Sequence, residues 1–324
     1  MLAELKFVAG AVAKKEFIPA LTHFCIENGT VRGYNGTLAL CSPIPFDISC
    51  KPKAIPMVQA IRNCTETVAL SMTKAGRLSI KSGSFKTFID CVETESNHVM
   101  PEGEMLAIDG AALLAGLKAV AEFIGEDASR PWANGVLIKG QSIFATNNVV
   151  LVEYWTGVDF PLTINLPRMA VREILRIGEA PILAQANDNS FSLHYENKRW
   201  IRSALLATDW PDLSKVLSVK SNPLAVPDGL FAGLETIKPF ADKMGRITFQ
   251  DGYLRTSLIE GEGADYYVEG LHTDGSYNVE MLLLLKDAAT SIDFSLHPKP
   301  ALFFGERLRG AIIGMRQIGN EAPK

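Results

Sequence analysis

One pattern recurs three times along the chain, at a spacing of about 110 residues. A helix-like stretch followed by a closing run of short strands appears at 51–63 (KPKAIPMVQAIRN), 166–178 (LPRMAVREILRIG) and 277–289 (YNVEMLLLLKDAA). The strands are VALSM, RLSIK and FKTFIDCV after the first stretch, PILAQA, SFSLHYE and KRWIRSALL after the second, and SIDFSLH, ALFFG and LRGAIIGM after the third. Solenoid rungs repeat every 20–50 residues or so, and a longer period marks whole domains. The sequence therefore reads as three similar domains, 1–101, 102–213 and 214–324, each ordered helix, strands, helix, strands. That order implies an α+β fold whose helices cover one face of antiparallel sheets. Asn28-Gly29 predicts a hairpin turn, Asp109 a helix N-cap, and the polar 96–104 segment a domain boundary.

Composition narrows the function. With 324 residues, 47% hydrophobic and 21% charged, the chain can fill two or three cores. The longest clean apolar run is MLLLL at 281–285, far short of the ~20 residues of a membrane helix. The basic residues of the N-terminus follow its apolar stretch, the reverse of a secretory signal. The expectation is a cytoplasmic protein with no membrane partner. Five cysteines (Cys25, Cys41, Cys50, Cys64, Cys91) lack CxxC spacing and fit reduced, buried thiols. Five scattered histidines lack ligand spacing, and GxGxxG, P-loop, HExxH and GxSxG motifs are absent. No catalytic residue, metal or cofactor is assigned. Glu260, Glu262 and Asp265, with His272 beyond, form either a surface turn or the one place for an acid/base or metal site.

The helices carry the more informative chemistry. Arg168, Arg172 and Arg176 are spaced i, i+4, i+8, drifting only about 40° per step, so they share one helix face. The first repeat places Lys51, Lys53 and Arg62 on or beside its second helix, and the opening helices of the later repeats bring Lys118, Lys238 and, just beyond, Lys243. One such helix is an ordinary solvated face. Recurrence points to helices lining a cavity for a polyanion, held through phosphates without sequence preference. A net charge of −4 is no obstacle, because the distribution decides and not the sum.

Over nearly its whole length the chain resembles the bacterial DNA polymerase III beta subunit family, the sliding clamps. SIFATNNVVLVEYW (142–155) is similar to that family's ATDGHRLA strand-turn-strand element, and INLPRMAVREILRIG to its second-domain helix. ATDWPDLSKVL (207–217) is similar to the FPDYxxVLP segment, YNVEMLLLLKDA to the FNVxYLLDxL helix, and LRGAIIGMRQ (308–317) to the terminal strand. RPWANGVLIKG (130–140) matches an Asn-Gly strand entry, which places Arg130 and Trp132 in a loop that touches DNA in the family.

The resemblance implies three clamp-type domains forming half of a ring, with antiparallel sheets outside and helices inside. A homodimer closes around double-stranded DNA as a processivity factor without catalytic activity. DNA polymerase and clamp loader would bind through short peptides, in an apolar pocket between domains 2 and 3. By motif position the pocket comprises Thr146, Asn148, Val149, Val150 and Leu151, then Pro211, Lys215 and Val216, then Ala311, Ile313 and Met315.

The chain departs from the family pattern in four places. Asn147-Asn148-Val149-Val150 replaces Asp-Gly-His-Arg, Gly314 replaces proline, residues 318–324 extend beyond the usual end, and a leading strand is missing from the first domain. A phage or mobile-element version of the clamp accommodates these changes. Two other readings stay open: a clamp-like decoy that no longer loads, and a nucleic-acid-acting enzyme using Glu260–Asp265.

Overall fold

The structure is a computed structural model describing residues 1–15, 17–93 and 99–316. His98, residues 96–98 of the expected boundary segment and the 318–324 extension fall outside them.

The threefold repeat is visible in the element order. The first module runs α1 (Leu2–Val8), a 3-10 turn (Ala9–Ala11), β1 (Cys25–Glu27), β2 (Thr30–Tyr34), β3 (Leu38–Pro43), α2 (Ala54–Arg62), β4 (Ala69–Met72), β5 (Leu78–Ser82) and β6 (Phe85–Ile89). The second runs β7 (Glu104–Ala107), α3 (Gly110–Val120), a 3-10 turn (Ala121–Phe123), β8 (Gly135–Thr146), β9 (Val150–Pro167), α4 (Arg168–Ile177), β10 (Leu183–Asn187), β11 (Ser190–His194) and β12 (Trp200–Ala204). The third opens with short α5 (Ser214–Leu217) and β13 (Leu224–Ala225), then α6 (Leu230–Ile237) and a 3-10 turn (Lys238–Phe240). It continues through β14 (Arg246–Gln250), β15 (Tyr253–Arg255), β16 (Asp265–Tyr267), β17 (Gly275–Asn278), α7 (Val279–Leu283), β18 (Ser291–Asp293), β19 (Ala301–Gly305) and β20 (Leu308–Ile312).

Local chemistry sets the element ends. Asp109 caps α3, its Oδ1 accepting from the Ala112 N–H at 2.9 Å. Asn28 (φ 49°) and Gly29 (φ 66°) make the left-handed two-residue turn joining β1 and β2. α4 buries Ala170, Val171 and Ile174 and stops at Gly178, whose φ of 70° suits glycine. α7 is shorter than the expected 277–289. After Leu283 the chain continues in i→i−3 turns, Leu285 N–H to Leu282 O at 2.9 Å and Ala288 N–H to Leu285 O at 3.0 Å. Three-residue turns stack i over i+3, and Leu282 and Leu285, both fully buried, are so spaced.

The chain forms two compact units, one of Met1–Leu114 with Leu166–Ala207, the other of Ala115–Asn165 with Thr208 onward. The first holds a seven-stranded sheet, β1-β2-β3-β12-β11-β10-β7, and a three-stranded one, β4-β5-β6. The second holds a six-stranded sheet, β13-β18-β19-β20-β9-β8, and a four-stranded one, β16-β15-β14-β17. All pairings are antiparallel. One rule builds both large sheets: the last strand of a module zips onto the outer strand of the run that follows the opening helix in the module before it. β12 pairs with β3 (Ile201 opposite Leu40), and β20 with β9 (Ala311 opposite Leu151). Each junction turns two open edges into a continuous sheet with satisfied backbone groups. β7 and β13 open the later modules and pair with β10 and β18, whereas the outer edge of β4 has no such strand among the described residues.

Candidate functional site

Within the second unit, the turn between β8 and β9 meets the end of β20 and α5. Asparagine chemistry shapes the turn. The Asn147 Oδ1 accepts the N–H groups of Val149 (3.1 Å) and Val150 (2.8 Å), and Asn148 adopts φ 71°, which asparagine tolerates better than other side chains. The buried Thr146 hydroxyl donates to Val150 O at 2.7 Å and accepts from the Asn148 N–H at 3.1 Å. Ile313 N–H then donates to Val149 O at 2.9 Å, which fastens the exit of β20 to the turn. Beneath lie Leu151, Leu217, Leu302 and Ala311, with Leu213 and Val216 of the α5 region packed against them.

These residues enclose a cavity of about 220 Å³. It is smaller than the roughly 300–1,000 Å³ of small-molecule sites and suits peptide side chains. Thr146, Asn148, Val149, Val150, Leu151, Val216, Ala311 and Ile313, which the family resemblance brings to one pocket, line this cavity. Pro211, Lys215 and Met315 do not line it. Pro211 and Lys215 are exposed on the approach to α5, and Met315 is drawn aside by its N–H bond to Ser276 O at 2.6 Å and by its carbonyl, which meets His297 Nε2 at 3.1 Å. Leu213 and Pro300 are additional walls. The spacing of Leu213, Val216 and Leu217 could have revealed the first; only folding brings Pro300 near.

Arg130 and Trp132, expected at a DNA-facing loop, line this same cavity. The 3-10 turn Pro131–Ala133 seats Trp132 edge-on against Trp210, ring centroids 5.2 Å apart, leaving the indole half-buried. The charge missing from the Asn-Asn-Val-Val turn is thus supplied at the cavity by Arg130, from another loop.

The basic residues divide by environment. Arg172 is exposed on α4 and Arg168 half-buried. Arg176 differs from both. Its Nε donates to both carboxylate oxygens of the buried Glu173 at 2.9 Å, and a terminal nitrogen donates to Phe7 O at 2.8 Å. The carboxylate beside it raises the Arg176 pKa further. This arginine neutralises a buried acid, a structural duty that spacing alone does not reveal. Lys53 and Arg62 are exposed at the two ends of α2, and Lys51 is half-buried. Lys118 is exposed on α3 and lines a cleft together with Leu283, Leu284 and Asp287 at the end of α7, and Arg307. Lys238 pairs with Glu280 at 2.8 Å, and Lys243 is exposed beyond it.

At the acidic stretch, Glu260 and Glu262 are exposed and Asp265 lies 3.6 Å from Arg255. Among the described residues no group of three or more His, Cys, Asp or Glu side chains could hold a metal ion. No helix there is long and apolar enough to cross a membrane. The cysteines are all free; burial pushes the Cys41 thiol up to about 11 and Cys50 to about 12, as expected for unreactive thiols.

No family model and no curated protein matches the sequence. Solved structures do match. The sliding clamp of Pseudomonas aeruginosa with ligand superposes with a TM-score of 0.83 at 17% identity. The beta subunit of the Streptococcus pyogenes DNA polymerase gives 0.83 at 16%, and the clamp of Bartonella birtlesii bound to griselimycin gives 0.82 at 16%. Each match covers 98% of this chain and 97% of the other. Coverage that complete includes all three modules in order, so the chain has the fold of the bacterial DNA polymerase III beta subunit, the sliding clamp.

Proposed function

We propose that the chain is a DNA sliding clamp: a non-enzymatic, cytoplasmic processivity factor that encircles duplex DNA as a homodimeric ring. The observation that carries this reading is the junction rule of the sheets. β3 receives β12 and β9 receives β20, while the corresponding strands β16 and β6 are sheet edges with no partner strand on that side among the described residues. Large exposed side chains sit on both, Tyr267 on β16 and Phe88 on β6. If β16 of one copy receives β6 of another, the third module joins the first by the rule that joins the others. Two copies then close into six modules, leaving no junction strand open to a third copy. A closed ring needs only weak phosphate contacts from Arg168, Arg172, Lys118, Lys53 and Arg62, because topology holds the duplex.

The 220 Å³ cavity is the proposed seat for short peptides of the polymerase and clamp loader, with Arg130 offering charge to an acidic peptide group. The test is processive primer extension on nicked circular DNA with a cognate loader. Changing Arg168 and Arg172 together to Glu should abolish processivity and leave the oligomer intact. Ile313→Asp, at a half-exposed pocket wall, should abolish polymerase-peptide binding and leave duplex retention unchanged. Full processivity in both variants overturns the assignment, and a ring that forms but never loads identifies a decoy.

A further inference from the structure

Each module closes with a three-strand run, and the strand on its far edge can be compared across modules. In the second module β10 is covered by β7, paired from Leu183 opposite Ala107 to Ala186 opposite Glu104. In the third, β18 is covered by β13, with Leu224 opposite Ile292 and Ala225 opposite Ser291. Both covering strands are short, run antiparallel to the strand they cover and lead into the opening helix of their module. In the first module the counterpart strand, β4, pairs with β5 alone among the described residues.

The open edge of β4 is chemically suited to a strand. Natural edges are commonly blunted by charge, proline or a bulge, and β4, Ala69-Leu70-Ser71-Met72, has neither charge nor proline. Cross-strand pairing shows which way its side chains point. Leu70 lies opposite Ile80 and Met72 opposite Leu78, both fully buried, so Leu70 and Met72 belong to the core face. Yet Leu70 is only half-buried and Met72 is 41% exposed. On β10 the core-face residues are Ala184 and Ala186, and beside β7 they are buried. A strand added to β4 covers the apolar surface left open there.

The opposite face of this sheet carries charge. Ala69 lies opposite Lys81, and Lys81 opposite Lys86. Like charges directly opposite one another destabilise a sheet, and neither lysine is ion-paired among the described residues. Only the short Ala69 side chain stands between Lys81 and the open edge. An added strand lies two strand spacings from Lys81, about 10 Å, which a lysine and a glutamate side chain span together.

We propose that the β4 edge receives, by strand addition, an extended segment of another protein that is apolar on one face and acidic on the other. It runs antiparallel to β4, its apolar side chain over Leu70 and Met72 and its carboxylate toward Lys81. Main-chain bonds give such additions affinity, and alternate side chains give selectivity. A second copy suits the edge poorly, because pairing β4 with another β4 sets two lysine rows on one face. The site is on the sheet edge away from β6, the strand proposed to meet a second copy, and it does not draw on the DNA role.

The probe is a synthetic peptide of the segment that closes the corresponding edge of the second module, residues 102–109 (EGEMLAID). It is made with Met105→Glu or with Met105→Lys, which places either charge on the strand face opposite Leu106. Hydrogen exchange of the full chain should slow at Ala69–Met72 when the Met105→Glu peptide is added. That peptide should bind about threefold tighter than the Met105→Lys one, and Lys81→Glu in the protein should reverse the preference. Met72→Asp should weaken both about tenfold. Absence of binding, protection at another edge or at the Leu151–Ile313 pocket, or a preference that Lys81→Glu leaves unchanged overturns the proposal. So does binding that survives Met72→Asp. Protection of β4 without peptide, in a species of higher mass that Met72→Asp dissociates, would make a second copy the occupant and overturn it as well.

Discussion

Glu173 and Arg176 show how one helix face can hold two kinds of arginine. Glu173 is buried where α4 meets α1: a side chain added at Gly10 would collide with its carboxylate, and Arg176 bridges it to Phe7 O. Removing the arginine leaves a buried charge without its partner. Arg176→Ala should therefore cost about 2 kcal/mol of stability, read from urea midpoints. A loss below about 0.5 kcal/mol would mean that the Glu173 pair is dispensable. The neighbouring rings extend this cluster, with Phe7 edge-on to Tyr195 at 6.0 Å and the Arg199 guanidinium 5.1 Å from the Phe7 ring. None of it is legible from spacing, because α1 and α4 are about 160 residues apart in the chain.

Helix caps and tight turns were the most readable elements, because their chemistry lies within four residues. Asp109 illustrates this: Asp109→Ala should destabilise the protein by about 1 kcal/mol and Asp109→Asn by much less, measured by thermal or urea unfolding. Equal losses would mean that the side-chain bond to Ala112 contributes nothing. α4, α2 and the Asn28-Gly29 hairpin were equally legible. α7 was not, since its leucine run promises a long helix and burial of Leu282 and Leu285 selects tighter turns. Two separate strands were also expected across 135–148, and β8 holds both as two arms: Ala133 O and Thr146 O accept from the same Gly125 N–H, at 3.1 and 3.0 Å, so the segment folds back on itself at Gly140, φ 56°. Glycine adopts that left-handed conformation without penalty, which suits a tight turn.

For the whole molecule, the proposed dimer extends to a second copy the junction rule that joins the modules within one chain. A charge at either open edge should prevent closure while sparing the fold, because both side chains are exposed in the single chain. Phe88→Lys or Tyr267→Lys should convert a species of twice the chain mass into one of single mass by light scattering, with unchanged circular dichroism. A dimer that survives both substitutions would place the interface elsewhere.

The threefold period, the helix-and-strand order and the local caps follow from the sequence by itself, since repetition and short-range patterning survive without coordinates; the residues around the cavity were reached only through the family resemblance. Other matters were decided only by tertiary structure. Arg176 serves a buried acid, and Arg130 and Trp132 belong to the pocket. Each depends on what distant segments bring to a side chain, and residue identity carries no record of a neighbour a hundred positions away.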